Sequence, residues 1–182
     1  MSHAELHADA TAVLTAWQPR NPSQSALREA FLGFLGARSD ATARSCVPGH
    51  LTASTVVLDA DGGQVLLTLH PRVGRWLQLG GHCEDGDHSL AEAALREATE
   101  ESGIVGLTIG AAPIHLDVHP IMCSLGVPTR HFDVRYRVVA PPRAVVRISA
   151  ESHDLRFWPL DALPPDTDDS TWQAIRAALP SR

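Results

Sequence analysis

Residues 80–104 read Gly-Gly-His-Cys-Glu-Asp-Gly-Asp-His-Ser-Leu-Ala-Glu-Ala-Ala-Leu-Arg-Glu-Ala-Thr-Glu-Glu-Ser-Gly-Ile, and this stretch decides the fold. Ser89 and Glu92 stand in the spacing of a capping box, in which each side chain accepts a hydrogen bond from a backbone N–H at the start of a helix. Gly103 is a typical C-terminal stop. The spacing therefore predicts a loop that leads into one short helix between Ser89 and Gly103.

This helix is predicted to pack on one side and to carry negative charge on another. At about 100° per residue, its apolar stripe consists of Ala91, Ala94, Leu95 and Ala98. Its acidic stripe consists of Glu97, Glu100 and Glu101. Carboxylates within one turn repel each other unless a cation favours their charged forms. Because Mg²⁺ is held by a few carboxylates, waters and substrate phosphates, the pattern favours phosphate chemistry, with a solvated helix face as the alternative.

Residues 96–104 resemble a known signature. Arg-Glu-Ala-Thr-Glu-Glu-Ser-Gly-Ile matches, position for position, the second half of the Nudix hydrolase box, R-E-U-x-E-E-x-G-U, in which U is apolar. Gly81 and Asp87 look like the glycine and the acid of the first half. The chain departs from the box in having Asp87 where the family usually has Glu, and in having eight rather than seven residues between that acid and Arg96. The extra residue precedes Ser89, so the helix keeps its internal spacing.

The resemblance implies a fold and an activity. The fold is a Nudix-like α/β/α sandwich with a mixed sheet, and the activity is cleavage of a diphosphate linked to another moiety, with Mg²⁺ or Mn²⁺ as the cofactor. Carried over to this chain, Glu97 and Glu101 become the main metal ligands, Glu100 becomes a further ligand, and Gly80 offers its backbone carbonyl.

The family also implies roles in orientation and proton transfer. Arg96 would orient the glutamates, although a structural ladder with Glu92 and Glu100 at i,i+4 spacing accounts for it equally well. A general base is expected from Glu100 by its position, or from the acidic loop that precedes a strand resembling the one after the catalytic sheet in this family. In that loop we favour Glu151 over Asp154, because its longer side chain has the greater reach.

Length and composition restrict the class of protein. With 182 residues, 44% of them hydrophobic, the chain can build one well-buried domain plus an appendage. A net charge of −6 argues against a nucleic-acid polymer as partner, because such binding depends on clustered Lys and Arg. The three widely spaced cysteines favour a reducing cytoplasm. No membrane span or secretory signal is expected, so the predicted partner is a small-molecule diphosphate.

Two amphipathic helices are predicted before the box. Apolar residues recur at three- and four-residue steps over residues 5–17 and again over residues 23–37. A turn-rich segment, residues 39–49, follows this helical hairpin. We therefore divide the chain into an N-terminal helical appendage, residues 1–38, and a Nudix hydrolase domain, residues 39–182. The appendage could cover the sheet, extend the substrate pocket or make a contact in a homodimer.

Runs of β-forming residues predict the sheet. Two runs separated by Ala-Asp-Gly-Gly indicate a hairpin, and a short strand leads into the box. The predicted strands cover residues 51–59, 64–70, 75–79, 107–109, 114–121 and 130–140. A last helix is predicted over residues 167–179. Because strands and helices are interleaved, the pattern indicates a mixed α/β sandwich.

Polar residues alternate along two of the predicted strands. Those sharing a face are His115, Asp117 and His119 on one strand, and His131, Asp133 and Arg135 on the next. We predict that these strands form a pocket wall in which His115, Asp117, His131, Asp133 and Arg135 bind the substrate. An exposed, hydrated sheet face is the equal alternative, and a zinc site is a third.

Two of the cysteines raise alternative interpretations, a zinc site and an isomerase activity. Cys46 and His50 have the spacing of half a zinc site, but no second pair stands near them, so a buried thiol and a loop histidine is the favoured interpretation. Cys83 keeps a prenyl diphosphate isomerase, another branch of the same superfamily, as an alternative function. The intact run from Arg96 to Glu101 argues against it.

The leading functional hypothesis is Mg²⁺-dependent hydrolysis of a phosphoanhydride. A non-catalytic ligand-sensing module on the same fold is the second hypothesis, since a fold does not fix a function. Such a module would be expected to lack one of the box glutamates. Nucleoside triphosphates, nucleotide sugars, dinucleoside polyphosphates and prenyl diphosphates all remain open as substrates.

Overall fold

A computed structural model describes residues 3–71, 73–122, 126–148 and 152–180. Within these ranges the helices are α1 (His3–Ala16), α2 (Pro22–Ala37), α3 (Leu90–Ser102) and α4 (Asp169–Ala178). The strands are β1 (His50–Leu58), β2 (Gln64–Leu69), β3 (Trp76–Leu77), β4 (Leu79–His82), β5 (Thr108–Met122), β6 (Pro128–Val139) and β7 (Asp154–Pro159). Among the described helices, none is both long enough and apolar enough to cross a membrane.

One mixed sheet contains all of these strands. Its order is β3-β2-β1-β6-β5, with β4 paired to β1 and β7 paired to β2. β1 runs parallel to β6, from His50 opposite His131 to Leu58 opposite Val139, and antiparallel to β2 and β4. Every residue of β1 is buried, as expected for the central strand of a sheet that is covered on both faces.

Helices cover both faces of the sheet. Side chains alternate along a strand, so Leu51 and Ala53 of β1 join a core cluster with residues of α1, α2 and α3. Val56 and Leu58 belong to a second cluster, in which Ile175 represents α4. The architecture is the predicted α/β/α sandwich with a mixed sheet and an N-terminal pair of helices.

The helix α3 begins and ends as its sequence predicts. The Ser89 hydroxyl accepts from the Glu92 amide at 3.1 Å, and the Glu92 carboxylate accepts from the His88 amide at 2.8 Å. Gly103 ends the helix with φ 64°, in the left-handed region. The buried stripe differs in part from the predicted one. Ala94 and Ala98 are buried as expected, but their buried companions are Leu90 and Ala93 rather than Ala91 and Leu95.

The N-terminal hairpin lies against the sheet. Phe31 and Phe34 of α2 pack on Phe132 of β6, with ring centroids 5.1 Å and 4.3 Å away. Gln24 pairs with the edge strand β5, accepting from the Leu116 amide at 2.6 Å and donating to the Leu116 carbonyl at 2.9 Å. Of the three roles left open by the sequence, these contacts support covering the sheet. The division of the chain at residue 38 stays a prediction.

The two strands predicted at 107–109 and 114–121 are one strand, β5. Its pairing with β6 shifts register between Ile109 and Pro113 and again between Pro113 and His115. Proline cannot donate to the ladder and is tolerated at a bulge or on an edge strand. The sequence therefore shows an interruption where the structure has an irregularity within one continuous strand.

Candidate active site

Arg96 is the centre of the acidic site on α3. Its guanidinium lies within 4.0 Å of four carboxylates, those of Glu84, Asp87, Glu97 and Glu100. It also donates to the His82 carbonyl at 2.9 Å. The hydrogen bond with Asp87 is the main reason that the pKa of Arg96 is raised, followed by the charges of Glu97 and Asp87 against the opposing effect of burial. The arginine therefore stays charged and joins the loop to the helix.

Asp87 anchors Arg96. Its two carboxylate oxygens accept from Nε and Nη2 of Arg96 at 3.0 Å and 3.1 Å, and it also accepts from the Glu84 amide at 2.8 Å. Asp87 is only 8% exposed. A bidentate pair fixes the guanidinium plane, so the shorter acid and the longer loop still produce a defined contact. The ladder considered for Arg96 is half present, because Arg96 contacts Glu100 while the Glu92 carboxylate caps the helix.

Glu97 lies against the backbone of Gly81. A Cβ atom added at Gly81 would stand 2.5 Å from Oε1 of Glu97, so a larger residue there would force this carboxylate to shift. Burial raises the pKa of Glu97, and the nearby charges of Glu100 and Glu84 act in the same direction, against the opposing effect of Arg96. Glu97 is thus cradled by Gly81, that is, packed against its backbone, and Arg96 does not fully offset the effects that disfavour its negative charge.

The other two glutamates have different partners. Glu101 accepts from the backbone N–H of Gly80 at 3.0 Å. Glu100 has a side chain that is 60% exposed and lies 3.1 Å from Nη1 of Arg96. The same Nη1 is 3.1 Å from Glu97. The structure therefore brings Gly80, the three glutamates and Arg96 into one group at the junction of β4 and α3.

The chain resembles known proteins over most of its length. The model of the NUDIX domain matches residues 48–178. The chain belongs to the NUDIX family. None of the curated protein sequences compared with the chain matches it. A NUDIX-family hydrolase from Clostridium perfringens superposes with a TM-score of 0.53 at 24% identity, covering 71% of this chain and 96% of its own.

Two further solved structures share the NUDIX fold. The NUDIX domain of Shewanella oneidensis NrtR, complexed with ADP ribose, has a TM-score of 0.53 at 21% identity and covers 75% of this chain and 90% of its own. The E. coli dihydroneopterin triphosphate pyrophosphohydrolase has a TM-score of 0.52 at 19% identity, with 70% and 91% covered. At these identities the likeness shows the fold alone.

The residues of the NUDIX helix α3 fit the divalent metal that the family implies. Their donors are carboxylate oxygens, the ligands that Mg²⁺ prefers, and Glu97 is held in a glycine cradle where burial disfavours its charge. A cation beside Glu97 would offset that effect. Glu97, Glu101 and Glu100 would hold it, together with the carbonyl of Gly80.

The polar side chains of β5 and β6 share one face of the NUDIX sheet, as the alternation in the sequence predicts. In the β5–β6 ladder His115 lies opposite Arg135, Asp117 opposite Asp133, and His119 opposite His131. The hydrated-face alternative does not hold at its centre, because Asp133 and Arg135 are 3% and 2% exposed. The predicted substrate contacts stay a prediction.

Asp133 and Arg135 are satisfied within the protein. Asp133 accepts from the hydroxyl groups of Thr52 and Ser54 at 3.0 Å and 2.8 Å, and from Nε of Arg135 at 2.7 Å. Arg135 also contacts Asp117 at 3.3 Å and donates to the Ser170 carbonyl at 2.8 Å. Burial alone would raise the pKa of Asp133, but the charge and hydrogen bond of Arg135 lower it. The network joins β1, β5, β6 and α4.

Histidines surround this network. Nδ1 of His119 donates to the Asp117 carboxylate at 2.7 Å, and this bond raises the pKa of His119 against the opposing effect of burial. Burial lowers the pKa of His115 and of His131 to about 4 each, and that of His82 to about 3. His115 lies 3.2 Å from the Gln24 amide nitrogen. Apart from His119, these imidazoles are neutral near pH 7.

Neither cysteine considered from the sequence presents a thiolate to the active site. Cys83 is 4% exposed within the core cluster, and burial raises its pKa to about 12. Burial also raises the pKa of Cys46. The Cys46 backbone carbonyl, not its sulfur, lies 3.3 Å from Nδ1 of His50. The isomerase alternative loses the support that Cys83 gave it.

The acidic loop is described in part. Glu151 lies outside the described residues, so its role as a base stays a prediction. Asp154 begins β7, where its carboxylate accepts from the Leu155 amide at 2.8 Å and pairs with Arg156. The hydrogen bond with Arg156 is the main reason that the pKa of Asp154 is lowered. These contacts are local ones, as expected for an acid that shapes the start of a strand.

Sequence reasoning missed several polar residues that complete these sites. Thr52 and Ser54 line one side of β1, and His82 follows the box glycines. The alternation of polar residues in an otherwise apolar strand was an available signal for Thr52 and Ser54. The favoured interpretation of His50 as a loop histidine is wrong, because His50 begins β1 and is buried. Asp9 of α1 was also missed, although its carboxylate accepts from the Leu90 amide at 2.9 Å and so caps α3. No local pattern reveals a contact between residues so distant in sequence.

Proposed function

We propose that this protein is a Mg²⁺- or Mn²⁺-dependent hydrolase that cleaves a phosphoanhydride bond in a nucleoside diphosphate derivative or a similar small molecule. The observation that carries the proposal is the group at the junction of β4 and α3. There Glu97 rests on Gly81, Glu101 accepts from Gly80, and Arg96 is fixed by Asp87.

Each residue of the group has a distinct role in this proposal. Bound divalent ions would neutralise charge on the phosphate oxygens and acidify the attacking water. Glu97 and Glu101 supply most of the negative charge that holds such ions, with Glu100 and the Gly80 carbonyl completing the donors. Arg96 positions Glu97 and Glu100, since one of its nitrogens contacts both carboxylates at 3.1 Å.

Hydrolysis also needs a group that accepts the proton of the attacking water. As the water oxygen bonds to phosphorus, the bridging P–O bond breaks and the proton passes to a base. Glu100 is one candidate for this base, and its exposure supports the role, because a carboxylate that is 60% exposed can contact a solvent water. Glu151, from the acidic loop, is the other candidate.

The substrate proposal is a class rather than a compound. Similar folds come from structures described as a complex with ADP ribose and as a dihydroneopterin triphosphate pyrophosphohydrolase. These compounds, nucleotide sugars, dinucleoside polyphosphates and prenyl diphosphates form the test panel. We propose the cytoplasm as the setting, because Cys46 and Cys83 are free, buried thiols.

The test is turnover of this panel with Mg²⁺ and with Mn²⁺, read as release of phosphate, pyrophosphate or nucleoside monophosphate. We expect at least one compound to be hydrolysed, with loss of turnover on chelation and recovery on re-addition of the ion. Hydrolysis in ¹⁸O-labelled water would locate the attacked phosphorus.

The non-catalytic alternative makes a different prediction for the same panel. A sensing module would bind a compound saturably, as measured by calorimetry, yet release no product with either ion. That outcome would overturn the hydrolase proposal and leave the NUDIX fold as a binding scaffold.

A further inference from the structure

Three histidines meet on the face of the sheet that is turned away from the NUDIX helix. His50 of β1 pairs directly with His131 of β6, while His82 of β4 pairs with Thr52, the second residue after His50. Each pair of these rings has its centroids 5.0 Å apart. Among the described residues, this is the one group of three His, Cys, Asp or Glu side chains whose ligand atoms all lie within 4.8 Å of each other.

Two of the three rings have unsatisfied nitrogens. Nε2 of His50 and Nε2 of His131 are buried and have no hydrogen-bond partner, whereas most buried polar atoms in proteins have one. His50 is 1% exposed. The centroids of the two rings lie 5.0 Å apart, so a single bound ion could serve both of these nitrogens.

The surroundings of His50 favour the tautomer that binds a metal. Its Nδ1 lies 3.3 Å from the Cys46 carbonyl, which can only accept, so the ring proton belongs on Nδ1. The lone pair is then on Nε2, the orphaned atom. A metal-bound histidine typically donates its other N–H to a carbonyl or carboxylate in this way.

The chemistry of the donors selects the class of ion. Three imidazole nitrogens suit borderline transition metals such as Zn²⁺, whereas Mg²⁺ takes oxygen ligands. Neutral imidazole is the ligating form. Three protein ligands leave a fourth tetrahedral position for water.

We propose that His50, His82 and His131 bind one transition-metal ion of the Zn²⁺ type, at a site separate from the glutamates of the NUDIX helix. Such an ion would tie β4 to β1 and β6. Because His82 directly follows Gly81, the glycine that cradles Glu97, the ion would also fix the strand that carries the active-site glycines. The inference does not depend on the proposed hydrolase activity, since it concerns a different set of donors.

The test measures metal binding by the full-length protein without any substrate. Chelator-treated protein would be titrated with Co²⁺ in excess Mg²⁺, and Zn²⁺ would then displace the Co²⁺. We expect one equivalent to bind, with the visible absorption of tetrahedral Co²⁺, and Zn²⁺ to raise the melting temperature. Replacing a residue that only hydrogen-bonds a metal ligand typically weakens metal binding by about 10–100-fold. Removing a ligand itself, by His131→Gln or His82→Gln, should therefore weaken it by at least about 100-fold.

Matched controls separate this site from other donors. His153→Gln changes an exposed histidine and should leave the Co²⁺ spectrum unchanged. Glu97→Gln should also retain the bound Co²⁺, which distinguishes this site from the glutamate site. Circular dichroism would check that each variant is folded, and if one histidine variant fails to fold, the other carries the test. Lack of saturable binding by the unmodified protein, or equal affinity in a folded His131→Gln or His82→Gln variant, would overturn the proposal.

Discussion

The two faces of the sheet hold polar groups that differ in their balance of charge. On the helix side, four carboxylates surround the single guanidinium of Arg96. On the other side, Asp133 and Asp117 share the guanidinium of Arg135, and the hydroxyl groups of Thr52 and Ser54 also donate to Asp133. The group around Arg96 has excess negative charge and is partly exposed. The group around Arg135 is largely buried, and its charges are paired.

The balance of charge in a polar cluster helps to distinguish a cluster that supports the fold from one that binds a ligand. A paired and buried cluster can hold elements together, because every charge already has its partner. In a cluster with an excess of one charge, the like charges repel each other, and a ligand of opposite charge can relieve that repulsion. By this criterion we propose that the helix side is the site of chemistry and that the Asp133–Arg135 network supports the structure. The neighbouring histidines, of which His50 and His131 have buried nitrogens without a partner, would then belong with the ligand sites.

The largest effect is expected from removing a negative charge from the carboxylates of α3. We expect Glu97→Gln and Glu101→Gln each to lower kcat by several orders of magnitude, with each tenfold loss equal to about 1.4 kcal/mol of transition-state stabilisation. The free energy of unfolding should change little, because neither carboxylate is a packing group. Glu29→Gln, at an exposed position on α2, is the matched control. Metal-dependent turnover retained in both active-site variants would contradict the assignment.

Breaking the buried network should affect stability instead. Arg135→Met leaves Asp133 buried without its cation, and breaking such a pair typically costs about 3–5 kcal/mol. Urea unfolding would measure the loss, with Arg137→Met, at an exposed position of the same strand, as the control. If the Arg135 variant keeps its stability but shows a large increase in KM, Arg135 binds substrate as the alternation in the sequence first suggested.

The appendage supplies a smaller and purely structural contribution. Gln24→Ala removes both side-chain bonds to Leu116 and leaves backbone groups of the edge strand unpaired, at a cost of about 1–3 kcal/mol. Gln18→Ala, at an exposed position just after α1, should change stability little. We expect kcat per folded molecule to stay the same in both. A fall in kcat for Gln24→Ala at unchanged stability would show that α2 takes part in the site.

The sequence could predict features that depend on residues near one another in the chain, but not contacts between distant segments. The ends of α3 depend on Ser89, Glu92 and Gly103, which lie close together in the chain, and all three act as predicted. The face shared by β5 and β6 followed from alternation within each strand. The burial of that face did not, because Asp133 is covered by residues of β1 and Arg135 by α4. Contacts between distant segments, such as those of His50 with His131, are decided by topology.

The smallest expected effect concerns Cys83, which lies next to His82 and packs in the core beneath the helices. Its raised pKa, about 12, means that almost no thiolate exists at pH 8, and the buried sulfur is also shielded from reagents. We expect alkylation by iodoacetamide at pH 8 to be negligible in the native protein and rapid in urea, where an ordinary thiol pKa of about 8.5 returns. Peptide mapping by mass spectrometry would assign the modified cysteine, and Cys83→Ser should leave turnover unchanged. Rapid native alkylation of Cys83 together with loss of turnover in the serine variant would place a reactive thiol at the end of β4. The core beneath the helices would then be open to reagents at the end of β4, and the isomerase alternative would regain the support of Cys83.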